Sequence, residues 1–138
     1  MAGGYLPPSG NSILKLLLDT HVFLWWLADQ SKLSDQARSL IEDRGNQVFV
    51  SMVVLWEISI KRSIGKLVAP FELQTAVQEC DFDILPIEIK HIESAEKLPW
   101  LHRDPFDRLM ISQAFIEQAT IISKDPIIAQ YTNNIITP

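Results

Sequence analysis

The feature that most constrains the fold of this chain is an alternation of short apolar runs with segments of helical character. The first run, ILKLLL, is almost continuously apolar, the pattern of a strand buried on both faces of a sheet. Strands that alternate with helices predict an α/β domain with a central, mostly parallel sheet of four to five strands. The predicted strands are Ile13–Leu18, Gln47–Val50, Asp83–Ile87, Ala119–Ser123 and Asn134–Thr137.

The helical segments are recognised by their caps, apolar faces and breaks. Ser34 is a predicted N-cap, and Pro105 stands at a first helical position. A long apolar segment, SMVVLWEISI, is closed by Gly65. The predicted helices are His21–Asp29, Ser34–Arg44, Ser51–Ile64, Pro70–Cys80, Glu88–Leu98 and Pro105–Gln118, with a helical turn at Pro126–Tyr131.

Length and composition narrow the class of protein. The 138 residues suit one domain, predicted over residues 13–138 after a flexible Gly-, Pro- and Ser-containing leader at residues 1–12. A net charge of −5 argues against a generic polybasic nucleic-acid or membrane binder. The single cysteine, Cys80, excludes a disulfide framework and indicates a reducing cytoplasm. No apolar run reaches the roughly 18 residues of a membrane span.

Acidic side chains stand where predicted strands end and helices begin. Asp19 directly follows the first strand and Asp125 follows the fourth, while Asp104 and Asp107 open a helix. In parallel sheets, ligands bind beyond the carboxyl ends of the strands. Each aspartate also has a simpler explanation as a helix cap, most clearly Asp104 and Asp125, which precede prolines. The sequence leaves both explanations open.

Glu57 interrupts an otherwise apolar helix, and we expect it to be at least partly buried. A buried carboxylate needs a partner or a metal ion. Lys61 lies one helical turn further and is the simple partner. A site that gathers several such acids is the other explanation.

If these acids converge, their negative charges repel one another, and a bound divalent cation would neutralise that repulsion. Hard oxygen ligands favour Mg²⁺ or Mn²⁺ over Zn²⁺, and His21, His91 and His102 lack zinc-type spacing. Acidic pockets of this kind carry out phosphoryl chemistry. The sequence has no glycine-rich phosphate loop, which argues against hydrolysis of nucleoside triphosphates.

Four stretches in this order resemble the PIN-domain family, most closely the VapC-like toxin ribonucleases of bacterial toxin–antitoxin pairs. The resemblance implies a three-layer α/β/α fold and Mg²⁺- or Mn²⁺-dependent hydrolysis of RNA phosphodiester bonds. It further implies a homodimer, inhibited by a cognate antitoxin whose C-terminal segment enters the acidic groove. The stretches are LLLDTHVFLWWL (16–27), SMVVLWEISIKRSIGKL (51–67), LHRDPFDRLMISQA (101–114) and IISKDPIIAQY (121–131).

The resemblance also assigns roles to individual residues. The catalytic and metal-binding acids are expected to be Asp19, Glu57, Asp107 and Asp125. We expect Asp104, Thr20 and Ser123 to support these acids, Ser123 as the hydroxyl neighbour of Asp125 and Asp104 as a supporting or capping residue.

RNA binding by an acidic protein would require local positive charge near these acids. The alternative is ordinary solvated surface, or pairing of two arginines with Asp104 and Asp107. One of the adjacent Trp25 and Trp26 is predicted at a protein interface, although core positions explain tryptophans equally well. The candidate RNA-binding residues are Lys61, Arg62, Lys66, Arg103, Arg108 and Lys124.

Two other functional classes also place aspartates at strand ends. A phospho-acceptor domain usually has paired acids after its first strand and a lysine after its last, whereas here Thr20 and His21 follow Asp19 and the last strand has no lysine. A phosphatase of the haloacid-dehalogenase type requires D-x-D after the first strand, which D-T-H does not supply. A non-catalytic module, in which the acids cap helices and the groove receives a peptide, remains open.

Overall fold

A computed structural model describes residues 13–138, which form one parallel sheet flanked by helices. The predicted leader, residues 1–12, lies outside the described residues. The strands are β1 (Lys15–Leu18), β2 (Gln47–Ser51), β3 (Asp83–Leu85), β4 (Thr120–Ile122) and β5 (Ile135–Ile136). Their order in the sheet is β3-β2-β1-β4-β5, and every neighbouring pair is parallel. The predicted α/β/α fold is confirmed.

The helices lie at the predicted places, with small shifts at their ends. β3 stops at Leu85 because Pro86 follows it and has no N–H group for the ladder. The helix predicted from Pro70 begins only at Leu73. None of the helices in the described part of the chain is long and apolar enough to cross a membrane. The helices are α1 (Thr20–Ala28), α2 (Asp35–Glu42), α3 (Met52–Ser63), α4 (Leu73–Glu79), α5 (Ile89–Glu96) and α6 (Pro105–Glu117), with short 3₁₀ turns at Gln30–Lys32 and Ile128–Gln130.

The central strands β1 and β4 form the middle of the core. Leu16, Leu17 and Leu18 of β1 are completely buried, and so are Ile121 and Ile122 of β4. Burial on both faces of the sheet explains why these strands read as continuous apolar runs in the sequence. Polar residues that follow β1 and β4 therefore extend directly from the buried core of the domain.

The direction in which successive strands are added to the sheet reverses between β1 and β4. The chain adds β2 and β3 on one side of β1 and then crosses over to place β4 on the other side. Such a switch opens a crevice at the carboxyl ends of the two strands. The backbone N–H of Asp19 donates to the carbonyl of Ile122 at 3.2 Å, so the residues that follow the two strands meet there.

The four tryptophans divide into two pairs. Trp25 and Trp26 on α1 are half-buried and pack against the core. Trp56 and Trp100 are 57% and 73% exposed. A protein contact through Trp25 or Trp26 stays a prediction, and the structure presents the other two tryptophans more openly.

Candidate active site

A pocket of about 360 Å³ lies at the carboxyl ends of β1 and β4. A second depression, lined in part by Trp26, Ile41 and Phe82, is equally large at about 370 Å³, so volume does not single out a site. That second depression also contains three acids, Glu42, Asp43 and Asp81. The first pocket gathers five, and it lies at the carboxyl ends of the central strands, where ligands bind in parallel sheets. The acidic side chains that line it are Asp19, Glu57, Asp104, Asp107 and Asp125.

Asp19 reaches this acidic pocket from the end of β1. Its Oδ1 accepts the backbone N–H of Val22 at 2.9 Å, so it caps α1 as the simpler explanation predicted. The residue is only 7% exposed, and burial raises the pKa of its carboxyl group. A hydrogen bond from the Ser123 side chain opposes that rise. Capping and a position in the pocket are thus compatible for this residue.

Glu57 enters the pocket from α3 and is 8% exposed, in agreement with its predicted burial. Its Oε1 accepts the Thr20 hydroxyl at 2.5 Å, and its Oε2 accepts Lys61 Nζ at 2.7 Å. The lysine one turn along is therefore its partner, as the simple explanation predicted. Thr20 contacts one of the four acids, which suits the supporting role expected for it.

Asp104 and Asp107 stand at the beginning of α6 and differ in their hydrogen bonds. Asp104 Oδ1 accepts the backbone N–H groups of Phe106 and Asp107 at 2.8 and 3.1 Å, the geometry of an N-cap. Burial raises the pKa of Asp107 to about 7, and the negative charges of Asp104, Glu57 and Asp125 act in the same direction. Asp107 is therefore the acid of the pocket whose ionised form is most opposed, first by burial and then by neighbouring negative charges.

Asp125 closes the pocket from the loop after β4. Its Oδ1 accepts the backbone N–H of Ile127 at 2.8 Å, and its own backbone N–H donates to Ser123 Oγ at 3.1 Å. Ser123 thus contacts two of the acids, Asp125 through the backbone and Asp19 through the carboxylate.

Sequence reasoning missed two histidines at this pocket: His21, which lines it, and His102, which contacts two of the lining acids. The Nε2 atom of His102 lies 2.9 Å from Asp107 Oδ2 and 2.9 Å from Asp125 Oδ2. Ligand atoms of these three residues lie within 4.8 Å of one another, a grouping that, within residues 13–138, does not include Asp19 or Glu57. A search for zinc spacing overlooks this histidine. The available signal was its place in LHRDPFDR, directly before the cap of α6.

The residues of the pocket fit a hard divalent cation. Five carboxylates line it, against the ammonium groups of Lys61 and Lys124. Burial, and then the charges of Asp104, Glu57 and Asp125, raise the pKa of Asp107, and a bound cation would offset both effects. Carboxylate oxygens are the ligands that Mg²⁺ and related ions prefer.

Of the six candidate RNA-binding residues, two line the acidic pocket. Lys61 is paired with Glu57, and Lys124 Nζ lies 4.7 Å from the centre of the Trp25 ring. Lys66 is exposed beyond the end of α3 and does not line the pocket. Arg62 donates to two backbone carbonyls of the segment that follows α3, those of Ala69 and Phe71.

Arg108 requires a correction, because it is 5% exposed and does not present its charge to RNA. Its guanidinium lies 3.8 Å from the centre of the Trp100 ring. Arg103 lines a different groove, between α5 and α6. Among the described residues, neither arginine forms the ion pair with Asp104 or Asp107 that the sequence left open. The carbonyls that accept hydrogen bonds from Arg108 belong to Ala95, Leu98, Pro99 and His102.

Comparison with known proteins identifies the family. The family model described as PIN domain matches residues 16–134, which include every acid of the pocket. The chain belongs to the PIN domain family. No curated relative matches it.

This PIN domain is also similar to solved structures, at identities that show a shared fold. A chain of VapBC2 from Rickettsia felis, bound to a DNA fragment of its promoter, is 17% identical with a TM-score of 0.62; the match covers 90% of the present chain and 98% of that one. A toxin–antitoxin complex from Klebsiella pneumoniae gives 18% identity, a TM-score of 0.60 and coverage of 89% and 97%. VapBC-1 from nontypeable Haemophilus influenzae is 13% identical with a TM-score of 0.59, and the match covers 89% of the present chain and 96% of that one.

Proposed function

We propose that this PIN domain is an endoribonuclease that uses Mg²⁺ or Mn²⁺, and that it is the toxin of a type II toxin–antitoxin pair. The observation that carries the proposal is the convergence of four predicted acids on one pocket, where the pKa of Asp107 is raised to about 7. Membership of the PIN domain family supports hydrolysis of nucleic acid.

The side chains divide the work by their contacts. Asp107 and Asp125 present carboxylates close together, and Asp19 and Glu57 complete the acidic wall, so these four are the proposed ligands. A bound Mg²⁺ or Mn²⁺ would supply an activated water and would neutralise charge on the phosphodiester. Lys61 and Lys124 stand on the pocket wall, where they would contact phosphates of the RNA.

A cognate antitoxin is the proposed protein partner. The structural neighbours from Rickettsia felis and Haemophilus influenzae are VapBC proteins, and the one from Klebsiella pneumoniae is a toxin–antitoxin complex. An antitoxin segment that carries positive charge would suit the acidic pocket of this chain. A homodimer and a cytoplasmic location stay predictions from the sequence.

The non-catalytic alternative has two observations in its favour, the local hydrogen bonds of three aspartates and the pairing of Glu57 with Lys61. Asp19 and Asp104 cap α1 and α6, as the simpler explanation predicted. Asp125 does not cap the following 3₁₀ turn, whose N-cap is Ile127, but its Oδ1 accepts the Ile127 N–H in a local turn, so local backbone hydrogen bonds explain all three aspartates. Capping does not explain Glu57, in the middle of α3, or Asp107, whose pKa is raised. Asp107 is therefore the residue that separates the two functions. The phospho-acceptor alternative gains no support, because the family match is to the PIN domain.

The decisive experiment is RNA cleavage by wild type and Asp107→Asn, with single-stranded and structured RNA. Each protein is incubated with Mn²⁺, with Mg²⁺ and with EDTA. We expect metal-dependent cleavage by wild type and a loss of at least about a thousandfold in the variant, since a metal centre supplies several kcal/mol of transition-state stabilisation.

The control variant is Glu117→Gln, which neutralises a carboxylate outside the pocket and should leave cleavage unchanged. Circular dichroism establishes that all three proteins are folded. Cleavage by Asp107→Asn at the wild-type rate, or cleavage that persists in EDTA, would contradict the proposal.

A further inference from the structure

His102 joins two acids that come from different parts of the chain. Asp107 lies in the first turn of α6, whereas Asp125 follows β4. The Nε2 atom of His102 lies 2.9 Å from an oxygen of each, and the side chain is 12% exposed. The ring therefore contacts two carboxylates whose oxygens lie within 4.8 Å of each other.

The other ring nitrogen determines what His102 offers to these acids. Its Nδ1 accepts the backbone N–H of Asp104 at 3.2 Å, so in the neutral ring the proton resides on Nε2. The nitrogen that faces Asp107 and Asp125 is then a hydrogen-bond donor. It has no lone pair for a cation, whereas Asp125 Oδ2, which accepts its hydrogen bond, retains a second lone pair, and Asp107 Oδ2 lies at ion-pair distance from the same nitrogen.

The loop that carries His102 is fixed, although it is neither helix nor strand. Tyr131 Oη accepts the backbone N–H groups of Leu101 and His102 at 3.0 and 2.8 Å and donates to the carbonyl of Pro99 at 2.5 Å. The buried guanidinium of Arg108 donates to the carbonyls of Pro99 and His102 at 2.9 and 3.3 Å. Two side chains from other elements thus hold the backbone on both sides of the ring.

We propose that His102 is a positioning residue that holds the Asp107 and Asp125 carboxylates at the spacing a divalent cation needs, without ligating the cation itself. This inference rests on the proposed metal-dependent function. Hydrogen bonds to ligating carboxylates orient them, and loss of such a partner weakens metal affinity by about 10- to 100-fold in other proteins.

The test is Mn²⁺ affinity, measured by the electron paramagnetic resonance signal of free Mn²⁺ in titrations of wild type, His102→Ala and His102→Gln. We expect affinity to fall about 10- to 100-fold in His102→Ala. His102→Gln should recover most of it, because the glutamine amide can donate an N–H group from a similar position. Arg103→Ala is the matched control: it alters the same loop, but its side chain lines the other groove, so Mn²⁺ affinity should not change.

A second measurement is made on the wild type, with His102→Gln as its control. Electron spin echo spectroscopy of Mn²⁺ bound to the wild type detects nitrogen ligands, and we expect no coupling to a histidine nitrogen. Such a coupling, lost in His102→Gln, would make His102 a ligand and overturn the inference. Wild-type affinity in His102→Ala would overturn it as well, and tighter binding would show that the ring competes with the metal.

Failure of the inference can be distinguished from failure of the proposed function. If wild type binds Mn²⁺, Asp107→Asn does not, and His102→Ala binds like wild type, only the role of His102 is wrong. If wild type itself binds no Mn²⁺, the metal site is wrong and the role of His102 falls with it.

Discussion

Two clusters in this domain contain a histidine beside two carboxylates, and their charges are balanced differently. The α5–α6 cluster consists of Glu88, Lys90, His91 and Glu117. Its completely buried histidine accepts the backbone N–H of Glu88 on Nδ1 at 3.0 Å and lies 2.9 Å from Glu117 Oε2 through Nε2. Lys90 Nζ lies 3.6 Å from an oxygen of each glutamate. The hydrogen bond from His91 lowers the pKa of Glu117.

The acidic pocket has the same arrangement around His102 with the opposite outcome. His102 lowers the pKa of Asp107, but burial and three further acids outweigh it, and the pKa rises to about 7. Residue types alone therefore do not distinguish the α5–α6 cluster from the proposed metal site. Burial and the number of neighbouring negative charges do, because they decide whether ionised carboxylates are stabilised or opposed.

The largest effect expected from this comparison is stabilisation by metal. Mn²⁺ at about one hundred times its dissociation constant should raise the free energy of unfolding of wild type by about 2.7 kcal/mol. Asp107→Asn should lose this stabilisation and Glu117→Gln should retain it, as measured by denaturant unfolding with and without Mn²⁺. If Glu117→Gln lost the stabilisation and Asp107→Asn retained it, the cation would bind at the α5–α6 cluster and the proposed difference between the two clusters would be wrong.

The second prediction concerns the protein without metal. The folded state retains the proton of Asp107 up to about pH 7, whereas the unfolded chain loses it near pH 3.8, so wild-type stability falls as pH rises through this window. At pH 8 in EDTA, the free energy of unfolding of Asp107→Asn should exceed that of wild type by about 2 kcal/mol. A pKa shift is worth about 1.4 kcal/mol per pKa unit, and solvent screening reduces the effect to this value. The gain should shrink toward pH 4. A variant less stable than wild type at pH 8 would contradict this.

The smallest expected effect is at the α5–α6 cluster, where removal of a carboxylate charge should lower stability instead of raising it. Glu117→Gln replaces a charge-assisted hydrogen bond to His91 with a neutral one and should lower the free energy of unfolding by about 1 kcal/mol at pH 7. The pKa of Glu117 is lowered in the folded state, so its charge stabilises the fold above the pKa of an ordinary glutamate. The difference in stability between the variant and wild type should therefore disappear as the pH falls through the lowered pKa of Glu117. Urea unfolding at pH 7 and pH 3 measures it, and equal losses at both would show that charge is not the cause.

The sequence by itself determined the fold class and the positions of the acids. Apolar runs with periods of a strand or a helix are local patterns, so five strands and six helices were predictable to within about three residues. The ends of those elements, with Asp19 after β1 and Asp125 after β4, are local as well. The parallel order of the sheet then brings together the residues at the carboxyl ends of its central strands.

Only the tertiary structure decided which side chains meet inside the pocket. His102 contacts Asp125, 23 residues along the chain, and no spacing rule connects the two. Arg108, predicted to contact RNA, is buried because carbonyls of the preceding loop surround its guanidinium. The raised pKa of Asp107 likewise depends on its burial and on the charges of Glu57 and Asp125, which come from other segments. Long-range hydrogen bonds, burial and electrostatic sums arise only once the chain has folded, and this is where the sequence stopped being informative.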